Sequence, residues 1–168
     1  MNRKTDIIRR CTAADAGRMY EIINEAARRY EGVIPADRYH QPYMPMDELL
    51  TEMKRMEFAG WEEDAQLVGV MGLEPVKDTT LIRHAYVIPE AQGKGIGGKL
   101  LRHLMKTVIT PEVLVGTWAA SYWAIAFYGK HGFVNRDDKD ALLRKYWNVP
   151  DRQIETSVVL SLQMEKNQ

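Results

Sequence analysis

The stretch VIPEAQGKGIGGKLL, Val87 to Leu101, decides how this chain is read. An extended apolar approach meets Pro89, then four glycines around Lys94, then residues in helical rhythm. That order describes a strand feeding an anion-holding turn and then a helix. Gly93, Gly95, Gly97 and Gly98 lack a Cβ, so main-chain N–H groups there can approach an anion closely. The helix that follows aims its positive end at the same point, and two linked phosphates would suit the site.

Upstream of this stretch, Phe58 to Val87 reads as an antiparallel meander, FAGWEED, QLVGVMGLEPV and TTLIRHAYVIP, with turns at 62–65 and 76–78. Further back, Thr5 to Arg10 fits a short first strand, and Thr12 with Asp15 forms an S/T-x-x-D helix-start signal. Met19, Ile22, Ile23, Ala26, Ala27 and Tyr30 then recur at helical spacing and give one buried face. Gly32, Pro35, Pro42 and Pro45 break that rhythm. The segment 31–45 is therefore a surface loop, and Tyr39, His40 and Tyr43 give it the composition of a binding lid as well as of a plain connector. Asp47 and Glu48 open a second helix to about Met56, their acids suiting the helix dipole, and Met44, Met46, Met53 and Met56 read as core filling.

Downstream, Ile96, Leu100, Leu104 and Val108 stripe one helix, and VLVGTW is a strand. Ser121 is placed to cap a helix through Lys130, which His131 and Gly132 end before a short strand at Phe133-Val134. A helix over 137–147, a turn around Pro150 and a last strand from Thr156 to Met164 complete the pattern. The fold class is α+β, with α/β mixed order around one sheet.

The 168 residues, 45% hydrophobic and 27% charged, fit one domain spanning 1–168 with an extended segment 135–155 before the last strand. Lys plus Arg equals Asp plus Glu at 23 each, with the signs interleaved, so no nucleic-acid or membrane-surface partner is expected. The single cysteine, Cys11, cannot form an internal disulfide, the start MNRKTDIIRR has no signal-like apolar stretch, and a cytoplasmic location is expected. Cys11, His40, His103 and His131 have no metal-ligand spacing, so no metal is expected.

Nucleotide motifs fit the glycines poorly. The spacing is Gly93-x-Gly95-x-Gly97-Gly98, not G-x-G-x-x-G; it comes mid-chain after a meander, and Lys94 is followed by glycine where a Walker motif needs Ser or Thr. The chain instead resembles the GNAT superfamily of acyl-coenzyme A dependent N-acyltransferases. Two motifs in order carry the resemblance: Val87 to Leu101, similar to that family's Q/R-x-x-G-x-G/A segment, and AIAFYGKHGF, Ala124 to Phe133, similar to its tyrosine-bearing helix followed by K-x-G-F.

The resemblance implies a GNAT-like central mixed, mostly antiparallel, splayed sheet flanked by helices, with the pantetheine arm of the cofactor in the splay. It implies acetyl-CoA (coenzyme A) as co-substrate, its pyrophosphate held by main-chain N–H groups of Gln92, Gly93, Lys94, Gly95, Ile96, Gly97 and Gly98. Main-chain groups of Tyr86, Val87 and Ile88 would pair with the arm like an extra strand, and one near Val87 or Ile88 would serve the oxyanion. Tyr128 stands where the family often has a tyrosine near the thioester sulfur, and its phenol, protonated at neutral pH, can give a proton to the thiolate. Ser121 replaces a frequent asparagine and reaches less far.

Direct attack by an amine needs alignment, proton removal and oxyanion stabilisation. For the base, His84 is the first candidate and Glu74 on the neighbouring strand the second. Strand alternation puts Arg83 and His84 on opposite faces. Cys11 lies far from the site in sequence, which disfavours an acyl-cysteine step. The expected activity is acetyl transfer to a primary amine, of a small molecule or a peptide. An acyl-coenzyme A sensor module and a nucleotide-binding domain are the alternatives. Tyr146 and Trp147 suit segment 135–155 either to cover the acceptor site or to form a homodimer contact, and Trp118 can line the acceptor pocket.

Overall fold

Seven strands, the central ones continuous apolar runs, form one sheet. They are β1 (Asp6–Arg10), β2 (Glu57–Glu63), β3 (Gln66–Val76), β4 (Thr79–Val87), β5 (Glu112–Trp118), β6 (Val134–Asn135) and β7 (Ser157–Gln163). The computed structural model describes residues 5–165. The spatial order is β1-β2-β3-β4-β5-β7-β6, and β4–β5 is the parallel pair in an otherwise antiparallel sheet. The sheet is thus mixed, as anticipated. The meander turns are tighter than the sequence suggested: Asp64-Ala65 and Lys77-Asp78 suffice, with positive φ at Asp64, Ala65 and Lys77.

Helices cover the sheet according to their apolar stripes. In α1 (Ala16–Ala27) and α2 (Met46–Met53), Met19, Ile22, Ile23 and Leu49 pack with Met44, Met56, Phe58 and Val70. A second core forms where α3 (Ile96–Met105) sets Ile96, Leu100 and Leu104 against Trp61, Met71 and Leu73. A third unites Leu81, Leu114 and Val159 with α5 (Lys139–Tyr146) and α6 (Asp151–Glu155) through Leu142, Leu143 and Ile154. Burying a leucine fully contributes about 2 kcal/mol, so these cores fix the strands whose ends build the site.

Several boundaries differ from the sequence reading. The helix-start pair works as read, Thr12 N–H donating to Asp15 Oδ2 at 2.7 Å, but α1 gives way to a tight turn at Arg28–Tyr30. α3 stops at Met105, short of Val108. α6 replaces the plain turn expected around Pro150. The proline stands just ahead of the helix and its carbonyl accepts from Ile154 N–H at 3.2 Å, while Asp151 complements the helix dipole. α4 (Tyr122–Lys130) follows Ser121 without side-chain capping, and the Ser121 hydroxyl is buried with no partner. At its far end, Phe133 and His131 N–H groups donate to Tyr128 O, with Gly132 at φ 91° closing the turn.

Among the described residues no helix is long and apolar enough to cross a membrane.

Candidate functional site

The turn after β4 is set by backbone conformation. Gly93 and Gly95 have φ of 78° and 79°, which residues with a side chain adopt at a cost, and Gly95 immediately precedes α3. Gly98 allows close helix packing: a Cβ there would lie 3.0 Å from His131 Cε1. The resulting cleft is lined by Gln92, Gly93, Gly95, Gly97, Gly98 and by Arg102, Lys130 and His131. Burial, then the charges of Arg102 and Lys130, hold the His131 imidazole below its usual pKa. Glycine main chain, a helix start and two cations fit a linked phosphate pair. The sequence reading missed Arg102, Lys130 and His131, although their placement near the two glycine-bearing motifs was a usable signal. Lys94 turns its ammonium to Glu63, 3.6 Å away, and so offers the turn its main chain.

Beyond this cradle the sheet opens. β4 pairs with β5 across Thr80–Ile82 and Val113–Val115, and from Arg83 onward the two strands have no mutual register. Two clefts, of about 210 and 270 Å³, lie along the opening and share Tyr30, Ala85, Tyr86, Ala124 and Tyr128. The larger continues to Gln92 and Gly97 and so meets the cradle; the smaller extends to His84, Trp118, Trp147 and Gln153. Segment 135–155 therefore does cover part of the opening, and Trp118 lines it.

A cluster of phenols walls the junction. Tyr30 and Tyr86 oxygens are 3.5 Å apart, and Trp118 Nε1–H donates to Tyr43 Oη at 3.3 Å. Tyr43 comes from the 31–45 loop, which Asn24 on α1 pins by donating to Met44 O and accepting from Met44 N–H, at 3.0 and 2.8 Å. Burial pushes the Tyr43 phenol up to about 12 and raises Tyr30, Tyr86 and Tyr128 as well, so all four stay protonated at neutral pH. Tyr128 is 5% exposed and lies edge-on to Phe127 and Phe133, which fix its ring.

The bulge in β4 overturns the expected alternation. Val70 faces Tyr86 and Gly72 faces Arg83, so His84 and Ala85 together fall opposite Met71, with His84 at φ 53°. Arg83 and His84 consequently both turn to Glu52 of α2, at 3.5 and 2.5 Å, instead of to opposite faces. The His84 ring also stacks on Phe58, 6.2 Å between centroids. Glu74 is taken by Arg83 and Arg55, at 3.2 and 3.4 Å, and does not line either cleft. Glu52, 4% exposed, was not foreseen. Burial works to raise its carboxyl, but His84, Arg83 and Arg55 together hold it below its ordinary pKa.

Two further expectations meet geometry. Ile88 N–H donates to Val68 O at 2.9 Å and its carbonyl accepts from Ala91 N–H at 3.0 Å, so both its main-chain groups are engaged. Gln92 donates its side-chain amide to Val87 O at 3.0 Å, tying the strand end to the turn. Ser121 lines neither cleft nor the cradle.

Comparison with known proteins agrees with this geometry. The family described as Acetyltransferase (GNAT) domain matches residues 55–135, the segment that holds the meander, the glycine turn and α4. Among solved structures, the PaiA N-acetyltransferase from Thermoplasma acidophilum, in complex with coenzyme A, is 20% identical, with 95% of this chain and 99% of that one covered and a TM-score of 0.74. A GNAT-family acetyltransferase from Staphylococcus aureus Mu50 is 18% identical over 96% and 100%, TM-score 0.75. The ribosomal-protein-S18-alanine N-acetyltransferase of Escherichia coli is 16% identical over 98% and 97%, TM-score 0.71. At these identities the structures establish a shared fold, and residues 55–135, with their two motifs, match the GNAT acetyltransferase domain.

Proposed function

We propose that this protein transfers the acetyl group of acetyl-coenzyme A to a primary amine by direct attack within a ternary complex. The carrying observation is the unpaired edge of β4, which runs from the glycine cradle to an aromatic-walled cleft with Tyr128 at their junction. Acetyl-coenzyme A, when bound, supplies an acyl group activated as a thioester. The cradle's main-chain N–H groups, with Arg102 and Lys130, would hold its phosphates, and Tyr86 and Val87 would meet the peptide-like arm as a strand does.

In this reading His84 takes the proton that the amine sheds as the C–N bond forms. Tyr128 donates its phenolic proton to sulfur as the C–S bond breaks, and exchange with solvent resets both groups. Main-chain N–H groups near Ala85 to Val87 would face the carbonyl oxygen as it gains negative charge. Tyr30, Tyr43 and Trp118 would enclose the acceptor and exclude water.

The test is calorimetric titration with acetyl-coenzyme A, run beside Gly95→Glu, followed by thiol release across a panel of amines. Binding lost in the variant together with amine-dependent thiol release supports the proposal. Binding without thiol release from any amine would turn the reading to an acyl-coenzyme A sensor, and no binding would reduce the turn to a structural element.

A further inference from the structure

His84 Nε2 and Glu52 Oε2 lie 2.5 Å apart, both buried, and among the described residues neither has a hydrogen-bond partner of regular alignment. Two lone pairs at that separation would repel, so a proton belongs between them, and the neutral imidazole must carry it on Nε2. His84 lines the smaller cleft, and its Nδ1 has no hydrogen-bond partner among the described residues. The geometry points to Glu52 as a positioning residue: its carboxylate holds His84 in the Nε2–H tautomer and leaves the Nδ1 lone pair free to take the acceptor's proton. The catalytic part of this inference rests on the acetyl-transfer reading; the pairing itself does not.

The surroundings suit that role. Glu52 reaches His84 from α2, while Arg83 from β4 and Arg55 from beyond α2 lie 3.5 and 3.4 Å from its other oxygen. Glu74 from β3 pairs with the same two arginines, and Phe58 from β2 supplies the stacked ring. Two carboxylates and two guanidiniums balance, so a proton gained by His84 is the one uncompensated charge of the cluster, and Glu52 is the group in direct contact with it. The bulge is what makes this possible: regular alternation would have aimed His84 away from one of its two neighbours, the cleft or α2.

The experiment combines ring-nitrogen NMR of His84 in the ligand-free protein with steady-state kinetics. The wild type should show the Nε2–H tautomer in its neutral ring. Glu52→Gln removes the anion that fixes the tautomer, so the neutral ring should no longer be held as Nε2–H, and kcat should fall about 10- to 100-fold. KM for acetyl-coenzyme A should stay within about two-fold, and Glu52→Asp should recover part of both losses. A double Glu52→Gln/His84→Gln variant should be no slower than His84→Gln alone, because Glu52 acts through the ring. Melting temperatures identify any variant that fails to fold, in which case Glu52→Asp carries the test. A neutral wild-type ring protonated on Nδ1, an unchanged tautomer in Glu52→Gln, or losses that multiply in the double variant would overturn the inference. If the wild type releases thiol with no amine, the acetyl-transfer reading fails, while NMR still decides the pairing.

Discussion

The two halves of β4 share a strand and little else. Thr79 to Ile82 is buried between β3 and β5, with Leu81 and Ile82 at 0% and 2% exposure. Arg83 to Val87 keeps β3 as its neighbour, loses β5, and carries the bulge. The first half is ordinary core. In the second, a residue with a side chain sits at φ 53°, a carboxylate is buried, and four phenols crowd one opening. Such departures cost stability, of order 1–3 kcal/mol for a strained backbone position, and they persist because the clamped half and its helices hold the strand in place.

Mutations can break or sharpen this contrast. The largest effect is expected in the clamped half, where Leu81→Ala leaves a cavity among Leu114, Leu143 and Val159 and should cost about 2–5 kcal/mol in urea unfolding. The fraction still folded should keep its affinity for acetyl-coenzyme A. In the parted region, Tyr128→Phe should lower kcat about 10- to 100-fold, worth about 1.4–2.7 kcal/mol of barrier, with little change in acetyl-coenzyme A affinity. Unchanged turnover at saturating substrates would assign Tyr128 to packing and blur the contrast.

Smaller effects follow at the rim. Trp118→Phe deletes the donor to Tyr43 and should cost about 1 kcal/mol, read as a several-fold rise in the acceptor's KM. The smallest effect lies at the sheet's opposite end. Hydrogen bonding from Arg9 holds the Asp15 carboxyl down at about 2, so its contribution is complete above the unfolded value of about 3.9 and lost as pH falls through about 2. With Arg9 partly exposed, that contribution is about 0.5 kcal/mol. An Arg9→Met variant should lose this part of the acid dependence while leaving turnover untouched.

What could be read from the chain was local. Val87 to Leu101 states its strand, turn and helix within one stretch, and the meander shows as apolar runs parted by polar turns. The bulge left no comparable mark, because His84 occupies a conformation that sequence usually advertises with glycine. That one irregular residue undid the assignment of Arg83 and His84 to opposite faces and hid Glu52, which lies more than 30 positions earlier. Tyr43 was legible as an aromatic in a loop, but its place depends on Asn24 reaching Met44. α6 was hidden for a different reason, since Pro150 signals a break and a helix start with the same rigid ring.

The sheet's outer borders invite a last consequence. One border is β1, five residues with Arg9 and Arg10 at its end, and the other is β6, only two residues long. Both are poor templates for a foreign strand. The unpaired edge of Arg83 to Val87 is by contrast set within the sheet, where β4 and β5 part. Backbone stickiness that would promote fibrils on an outer rim is there turned toward a cleft wide enough for a flexible amide chain.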